Sequence, residues 1–266
     1  MRHVYRGGLV HRYYRTVLFG SALGGMAWLA AAQCRVDLLE LWHGLPNGLG
    51  RLEPFMHPEW SSVPQMLMQA GVTVGLALVA TPISAALSLV LGLAAARNTA
   101  WGWVSVSARW MLVLERALPD MFVLLLFVAG LGLGPAPAVL ALIVASLGML
   151  GKLFADTIEE VDQQTIDAVR VTGASHSQVI SYGVLPSILP RLVSYSLFRF
   201  EVNLRAATIL GAVAGQGIGY ELYRSIGLLE YGRASMAVLV IMLLVHGTER
   251  VSSYARAKIM VRGKLA

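Results

Sequence analysis

Six long apolar runs dominate this sequence and limit the folds that it can adopt. A helix needs about 20 mostly apolar residues to cross the hydrocarbon core of a bilayer, and several of the runs reach or approach that length. Charged residues make up only 14% of the 266 residues, whereas soluble domains have about 25%. The sequence therefore predicts an all-α, multi-pass membrane protein with six transmembrane helices. The predicted spans are residues 17–33, 70–96, 118–133, 138–150, 192–214 and 234–245.

The basic residues are distributed unevenly among the connections between these spans. With the N-terminus on the cytoplasmic side, fifteen Lys and Arg side chains fall on the inner side and four on the outer side. Cytoplasmic connections are enriched in Lys and Arg, so both termini are predicted to be cytoplasmic. The same bias explains the net charge of +6, and the absence of interleaved aromatic and basic residues excludes a nucleic-acid partner.

We expect the chain to have two parts. Residues 1–69 comprise an N-terminal cytoplasmic arm, the first span and an extracytoplasmic loop, and residues 70–266 comprise the transmembrane core. Trp42 and Trp60 lie among prolines in the outer loop and indicate a segment at the membrane interface. The core contains a polar inner connection at residues 155–186, which is longer than the other inner connections.

The first span has a second interpretation. A basic leader, an apolar run and the sequence AAAQC at residues 30–34 are similar to a signal peptide with a lipid-attachment cysteine. Gln33 stands where a small residue normally precedes such a cysteine, so a retained span is the preferred interpretation. Because Cys34 is the only cysteine, the sequence excludes a disulfide framework.

Motifs for catalysis are missing from the sequence. There is no phosphate-binding P-loop, no zinc-protease signature and no nucleophile elbow. The sequence GQGIG at residues 215–219 resembles the start of a dinucleotide-binding motif, but no strand precedes it. We therefore expect a transport protein that is not an enzyme, with no catalytic residue, no metal site and no cofactor of its own.

The long inner connection has the capping signals of two short helices. Asp162 is a good N-cap for the first helix, and Gly173 is a good stop signal after it. Ser175 is positioned to cap a second helix, which Gly183 and Pro186 are expected to end. This pattern predicts a helical hairpin that protrudes into the cytoplasm. An ordinary structured loop is the alternative interpretation.

This hairpin resembles the EAA motif of ABC importer permeases. In that family the motif fits a cleft on a separate ATPase subunit and transmits its movement to the spans. The sequence departs from the motif in two places, since Asp167 stands for glutamate and Gly183 for isoleucine. The resemblance assigns ATPase coupling to Asp167, Ala168, Gly173, Leu185 and Pro186.

Nearly the whole chain is similar to the phosphonate and phosphite branch of these binding-protein-dependent permeases. The similarity includes the sequences LERALPDMFVLLLFV, SLGMLGKLFADTIEEVD and GQGIGYEL. It implies a type I ABC importer permease in the bacterial inner membrane that forms a homodimer in the lipid bilayer. The implied partners are two copies of an ATPase, which bind ATP and Mg²⁺, and an extracytoplasmic binding protein for phosphonate, phosphite or a related oxyanion.

The fifth predicted span contains charges that a membrane helix rarely tolerates. Glu201 and Arg205 are i,i+4 neighbours and are predicted to form an ion pair, whereas Arg199 has no carboxylate at such a spacing. Ionisable side chains within a span tend to line pathways, and the implied cargo is an anion. Three interpretations stay open: a packed network between helices, a translocation pathway, and span ends that lie elsewhere. The candidate pathway residues are Arg199, Glu201, Asn203 and Arg205.

Two further groups have alternative interpretations. Glu115, Arg116 and Asp120 flank Pro119 at the start of the third predicted span, where they form either an interfacial charge cluster or a gate. A series of glycines provides either close helix packing or an outer gate near the dimer axis. These glycines are Gly211, Gly215, Gly217 and Gly219.

Three other functions compete with oxyanion import. The nearest is a permease of the same architecture that imports another small solute, such as an amino acid. A different class is an ion-coupled carrier or a channel that works without an ATPase. A membrane-embedded enzyme is the third, and it lacks any nucleophile or metal constellation in the sequence.

Overall fold

The computed structural model describes residues 6–34, 42–44, 46, 50 and 53–262, which contain helices and no strand. The chain divides into two units, residues 1–54 and 55–266. The first unit contains helix α1, Arg6–Gln33, whose described side chains are almost all exposed. Part of the predicted interfacial loop, including residues 35–41 and 47–49, lies outside the described residues.

The second unit holds the remaining helices and the candidate site. Two 3₁₀ turns, Glu53–Met56 and Trp60–Ser62, precede its first long helix, and the second turn leads directly into that helix. A π-helical segment, Val179–Val184, joins helix α7, His176–Gln178, to helix α8, Leu185–Ala214, without a break. The helices are α2 Val63–Ala95, α3 Gly102–Ala117, α4 Asp120–Leu131, α5 Pro135–Glu159, α6 Gln163–Arg170, α7 His176–Gln178, α8 Leu185–Ala214, α9 Gly217–Gly227 and α10 Tyr231–Arg262.

Among the described residues, four helical stretches are long and apolar enough to cross a membrane: Tyr13–Gln33, Trp60–Ala95, Pro135–Glu159 and Tyr231–Ile259. The helix α8 has 30 residues, but it carries four charged side chains. The third predicted span is shorter than expected, because the chain is extended at Leu118 and Pro119 and α4 has only 12 residues. Twelve residues rise about 18 Å, which is less than a bilayer core. The six-span count, the cytoplasmic termini and the division after residue 69 stay predictions.

The core forms where α2, α5 and α8 pack together. Small residues recur along the inner side of α2 and let α5 approach closely. At Gly92, for example, a Cβ atom would lie 2.9 Å from the Cβ of Phe154. This close packing of apolar helices places the polar side chains of α8 against α2 and α5.

Candidate functional site

The predicted hairpin is present between α6 and α7. The Asp162 carboxylate accepts a hydrogen bond from the backbone N–H of Gln164 at 3.1 Å, which caps α6. Gly173 then reverses the chain with φ of +81°, a conformation that costs glycine little. Ser175 begins the second helix in a capping box with Gln178. Both predicted helix starts and the predicted glycine turn are therefore confirmed.

The predicted end of the second helix is wrong. Neither Gly183 nor Pro186 stops it, since α7 continues through the π-helical segment into α8. Pro186 lies directly after the π-helical segment, in the first turn of α8, and the helical path runs through it. Gly183 is buried, and a Cβ atom there would lie 3.3 Å from Val169 of α6. The glycine thus allows α6 to pack on the π-helical segment.

The hairpin presents exposed residues on its outer side. Asp167, Ala168 and Gly173 are all exposed, so these motif residues are free to contact another protein. Val171 is 88% exposed and Tyr182 is 74% exposed. Sequence reasoning missed these two residues, although an apolar side chain in a polar hairpin is a usable signal. We call residues 162–186 the hairpin below.

The remaining two motif residues lie where the hairpin joins α8. Pro186 is exposed, whereas Leu185 is half-buried and packs against an apolar cluster that contains Leu150, Phe154 and Ile188. The motif residues are therefore divided between an exposed surface and the base that anchors it.

Polar contacts tie the hairpin to the neighbouring helices. His176 Nε2 donates to the carbonyl oxygen of Thr99 at 2.9 Å. Arg191 of α8 forms an ion pair with Glu160 at 2.8 Å, and Asn98 Nδ2 donates to the carbonyl oxygen of Ile158 at 2.8 Å. His176 thus ties the hairpin to the connection between α2 and α3, and the other two contacts join the end of α5, just before the hairpin, to α8 and to that connection.

Arg199 of α8 is buried and bound to α5. Only 6% of the surface of Arg199 is exposed. Its Nε atom donates to Ser146 Oγ at 2.9 Å, and Nη2 donates to the carbonyl oxygen of Ala145 at 2.8 Å. It has no carboxylate hydrogen bond among the described residues, as its spacing predicted.

Asn203 extends this contact to α2. The residue is fully buried, and its Nδ2 atom donates to Thr81 Oγ1 at 3.0 Å. Its Oδ1 atom lies 3.1 Å from Ser146 Oγ. Thr81, Asn203, Ser146 and Arg199 thus form a continuous polar network across α2, α8 and α5, which we call the polar network. The sequence analysis missed Thr81 and Ser146, although hydroxyls inside apolar spans are a signal for such contacts.

The predicted ion pair between Glu201 and Arg205 is wrong. Glu201 is 5% exposed and forms its ion pair with Arg256 of α10. Arg205 forms an ion pair with Glu249 of α10 at 2.9 Å. The physical reason is that α10 packs along α8 and offers carboxylate and guanidinium partners across the helix contact. Both pairs therefore join two helices instead of two turns of one helix.

The break between α3 and α4 adds further charges near Arg199. Arg199 interacts electrostatically with Asp120 and Glu115. The Oε2 atom of Glu115 lies against the backbone of Gly148. A Cβ atom at Gly148 would lie only 1.8 Å from that oxygen. Arg116 and Asp120 are exposed. The structure thus places the charges beside Pro119 and the buried arginine in one region.

The glycines at the end of α8 have a packing role within the chain. Gly215 and Gly217 have φ of +76° and +72° and form the turn into α9. A Cβ atom at Gly217 would lie 2.4 Å from Thr73 Oγ1, and one at Gly219 would lie 1.7 Å from the carbonyl oxygen of Thr208. Close packing against α2 and α8 thus accounts for Gly217 and Gly219, and the positive φ accounts for Gly215. The outer gate stays a prediction.

Comparison with known proteins finds close sequence relatives. Residues 88–254 match the family described as binding-protein-dependent transport system inner membrane component. A putative phosphite transport system permease protein of Stutzerimonas stutzeri is 32% identical over 250 residues, which cover 94% of this chain and 88% of that protein. A phosphate-import permease protein of Mycolicibacterium smegmatis is 36% identical over 249 residues. The match covers 92% of this chain but only 45% of that relative's length.

A solved structure has the same fold. A chain of a methionine ABC transporter in an inward-facing conformation superposes with a TM-score of 0.66, covering 76% of this chain and 99% of that chain. The sequence identity is 16%, so the likeness concerns the fold alone. The helices of this chain therefore adopt an ABC importer permease fold.

Proposed function

Because the chain belongs to the family of binding-protein-dependent transport system inner membrane components, we propose that it is the membrane subunit of an ATP-driven importer for a phosphorus oxyanion. Phosphonate, phosphite and phosphate are the candidate cargoes. The similarity over most of the chain to relatives named for phosphite and phosphate carries this proposal. The chain moves its cargo in the bacterial inner membrane and leaves ATP and Mg²⁺ to its partner.

Coupling to that partner takes place at the hairpin. Two ATPase copies, one for each subunit of a permease homodimer, contact Asp167, Ala168 and Gly173 through the exposed outer side. Leu185 and Pro186 anchor the moving part. One uninterrupted helical path runs from His176 to Arg199, and at about 1.5 Å per residue it spans roughly 35 Å. Closure of the ATPases is thereby converted into a tilt of α8.

The polar network is the part of the pathway that meets the cargo. A buried guanidinium without a carboxylate partner is costly in a membrane, and a passing anion relieves that cost. Asp120 and Glu115 lie in the field of Arg199 and compete with the anion for it. When α8 moves past α3 and α4, one of these carboxylates replaces the cargo at Arg199. The cargo is then free to leave. The extracytoplasmic binding protein delivers the cargo to the outer end.

The test is transport by the full complex in proteoliposomes. The permease, the ATPase and the binding protein are reconstituted together, and ATP-dependent uptake of radiolabelled phosphite is measured with competing phosphonate, phosphate or methionine. We expect the phosphorus compounds to compete and methionine to have no effect. Competition by methionine alone would assign the chain to an amino-acid importer. Uptake that continues without the ATPase would instead indicate an ion-coupled carrier or a channel.

A further inference from the structure

A cavity of about 180 Å³ lies between α3 and α5, near the end of the bundle that carries the hairpin. Its walls combine three basic side chains with an apolar surface. The basic residues are Arg109, Arg116 and Lys152, and the apolar residues include Leu112, Val113 and Ala155. Such a combination suits a ligand with an anionic part and a hydrocarbon part.

Two of the basic side chains are held in place and keep free donors. Arg109 donates through Nε to the carbonyl oxygen of Ala95 at 2.9 Å and forms an ion pair with Glu159. Lys152 forms an ion pair with Asp156 one turn further along α5. An ammonium has three donors and a guanidinium has five, so each residue has donors left for a ligand. The two carboxylates neutralise only these two charges.

Arg116 supplies the third basic charge of the cavity. It is exposed, and it has no hydrogen bond or ion pair within the part of the chain that the structure describes. The carboxylate of neighbouring Glu115 attracts Arg116 but does not line the cavity. The lining therefore keeps a positive charge on a side chain that is free to turn toward an anion. The sequence assigns Arg116 either to an interfacial charge cluster or to a gate, and its place beside this cavity suggests a different partner.

The outer side of α3 has the composition of a membrane-interface helix. Trp101 caps its start, and Trp103 and Trp110 follow along it, all of them exposed. Val113 and Leu114 are exposed as well. Tryptophan collects at the headgroup level of bilayers, and exposed aliphatic side chains beside it provide a surface for acyl chains.

We infer that this cavity binds the headgroup phosphate of an anionic phospholipid in the inner leaflet, with an acyl chain along Val113 and Leu114. Basic pockets between helices on the cytoplasmic side recognise such headgroups. The position in the inner leaflet follows from the predicted orientation of the chain. The site adjoins the proposed cargo path at Arg116, but Arg199, Asn203, Glu115 and Asp120 do not line it. A freely soluble oxyanion would gain nothing from the apolar walls, whereas a lipid uses both parts.

The experiment measures lipid retained by the purified full-length permease in native mass spectrometry. Phosphatidylglycerol and phosphatidylcholine with identical acyl chains are supplied together, and the ratio of the two bound lipids is recorded. We expect wild-type protein to retain phosphatidylglycerol in preference. Arg116→Gln reduces this preference roughly fivefold to tenfold, since one basic group near an anionic lipid accounts for about that factor. Lys152→Gln, on the opposite wall, reduces it as well.

Arg97→Gln is the matched control, because Arg97 is exposed near the same end of the bundle and does not line the cavity. It is expected to leave the preference unchanged, and Arg116→Lys to keep most of it. An equal loss in Arg97→Gln and Arg116→Gln would reduce the effect to general charge and overturn the site. Displacement of the lipid by millimolar inorganic phosphate, or an unchanged preference in Arg116→Gln and Lys152→Gln, would overturn it too.

Discussion

Charged residues are exposed on the hairpin and buried in the polar network. On the hairpin, Asp167 and Arg170 are exposed and meet within one helix at 3.4 Å, a kind of pair that adds little stability. In the polar network, Arg199 is almost fully buried, and its partners come from another helix. The exposed surface of the hairpin is thus specified by neighbouring residues in the sequence. A buried network is specified only by the arrangement of helices.

The largest expected effect concerns the buried ion pair. Glu201→Gln removes the partner of Arg256 at a residue that is 5% exposed. We expect a loss of about 2–4 kcal/mol in the free energy of unfolding, between the values for fully buried and for exposed pairs. Unfolding of the purified permease in a detergent titration measures this change. Glu249→Gln breaks the more exposed pair with Arg205 and should cost less than about 1 kcal/mol; equal losses would refute the contrast.

The next effect tests the polar network through one hydroxyl. Thr81→Val leaves the Asn203 amide without its acceptor, and we expect a loss of about 1–3 kcal/mol in the same titration. Thr157→Val is the control, because Thr157 is also buried and also donates to the carbonyl four residues earlier. It accepts no bond from another helix within the described residues. If both substitutions cost the same, the network contributes no stability of its own.

The third prediction compares two glycine turns. Gly173→Val and Gly132→Val both force a side chain into a positive φ, of +81° and +82°, at positions without neighbours within 4 Å. Gly132 also has ψ of −179°, a conformation that is essentially restricted to glycine, so Gly132→Val is the more strained variant; each should cost about 1–3 kcal/mol. Only Gly173→Val changes the shape of the hairpin, so only it should lower ATP-dependent uptake, by about tenfold or more, with the amount of permease in the membrane unchanged. Comparable uptake by the two variants would count against coupling through the hairpin.

The smallest expected effect is a coupling energy close to zero. A double-mutant cycle between Glu201→Gln and Arg205→Gln should be additive within about 0.5 kcal/mol, because each residue pairs with α10 and not with the other. The cycle between Glu201→Gln and Arg256→Gln should show a clear coupling in the same unfolding assay. A large coupling in the first cycle would restore the pair that the i,i+4 spacing predicted.

Much of the fold follows from local features of the sequence. The apolar runs predict the helical membrane fold, and the caps Asp162 and Ser175 together with Gly173 predict the hairpin. The resemblance to ABC importer permeases is confirmed by the family match over residues 88–254. These features need only neighbouring residues, which is why a single sequence contains them.

The missed features depend on residues far apart in the chain. Glu201 and Arg256 are 55 residues apart, so helical spacing alone offered Arg205 as the partner. A signal was present on α10, where Glu249, Ser252 and Arg256 recur every three to four residues. The break at Pro119 was harder to locate, because an apolar run does not reveal where backbone hydrogen bonding is interrupted.

The π-helical segment has a consequence for how the hairpin sequence can vary in length. A π turn usually acts as one residue inserted into an α-helix, and here it lies between the hairpin and the buried part of α8. Loss of one residue, such as exposed Tyr182, would leave an ordinary α-helix with both ends still facing the same directions. In an uninterrupted α-helix, the same deletion would rotate one end against the other by about 100°. The segment therefore lets the chain lose a residue while the exposed surface of the hairpin keeps its orientation relative to Arg199.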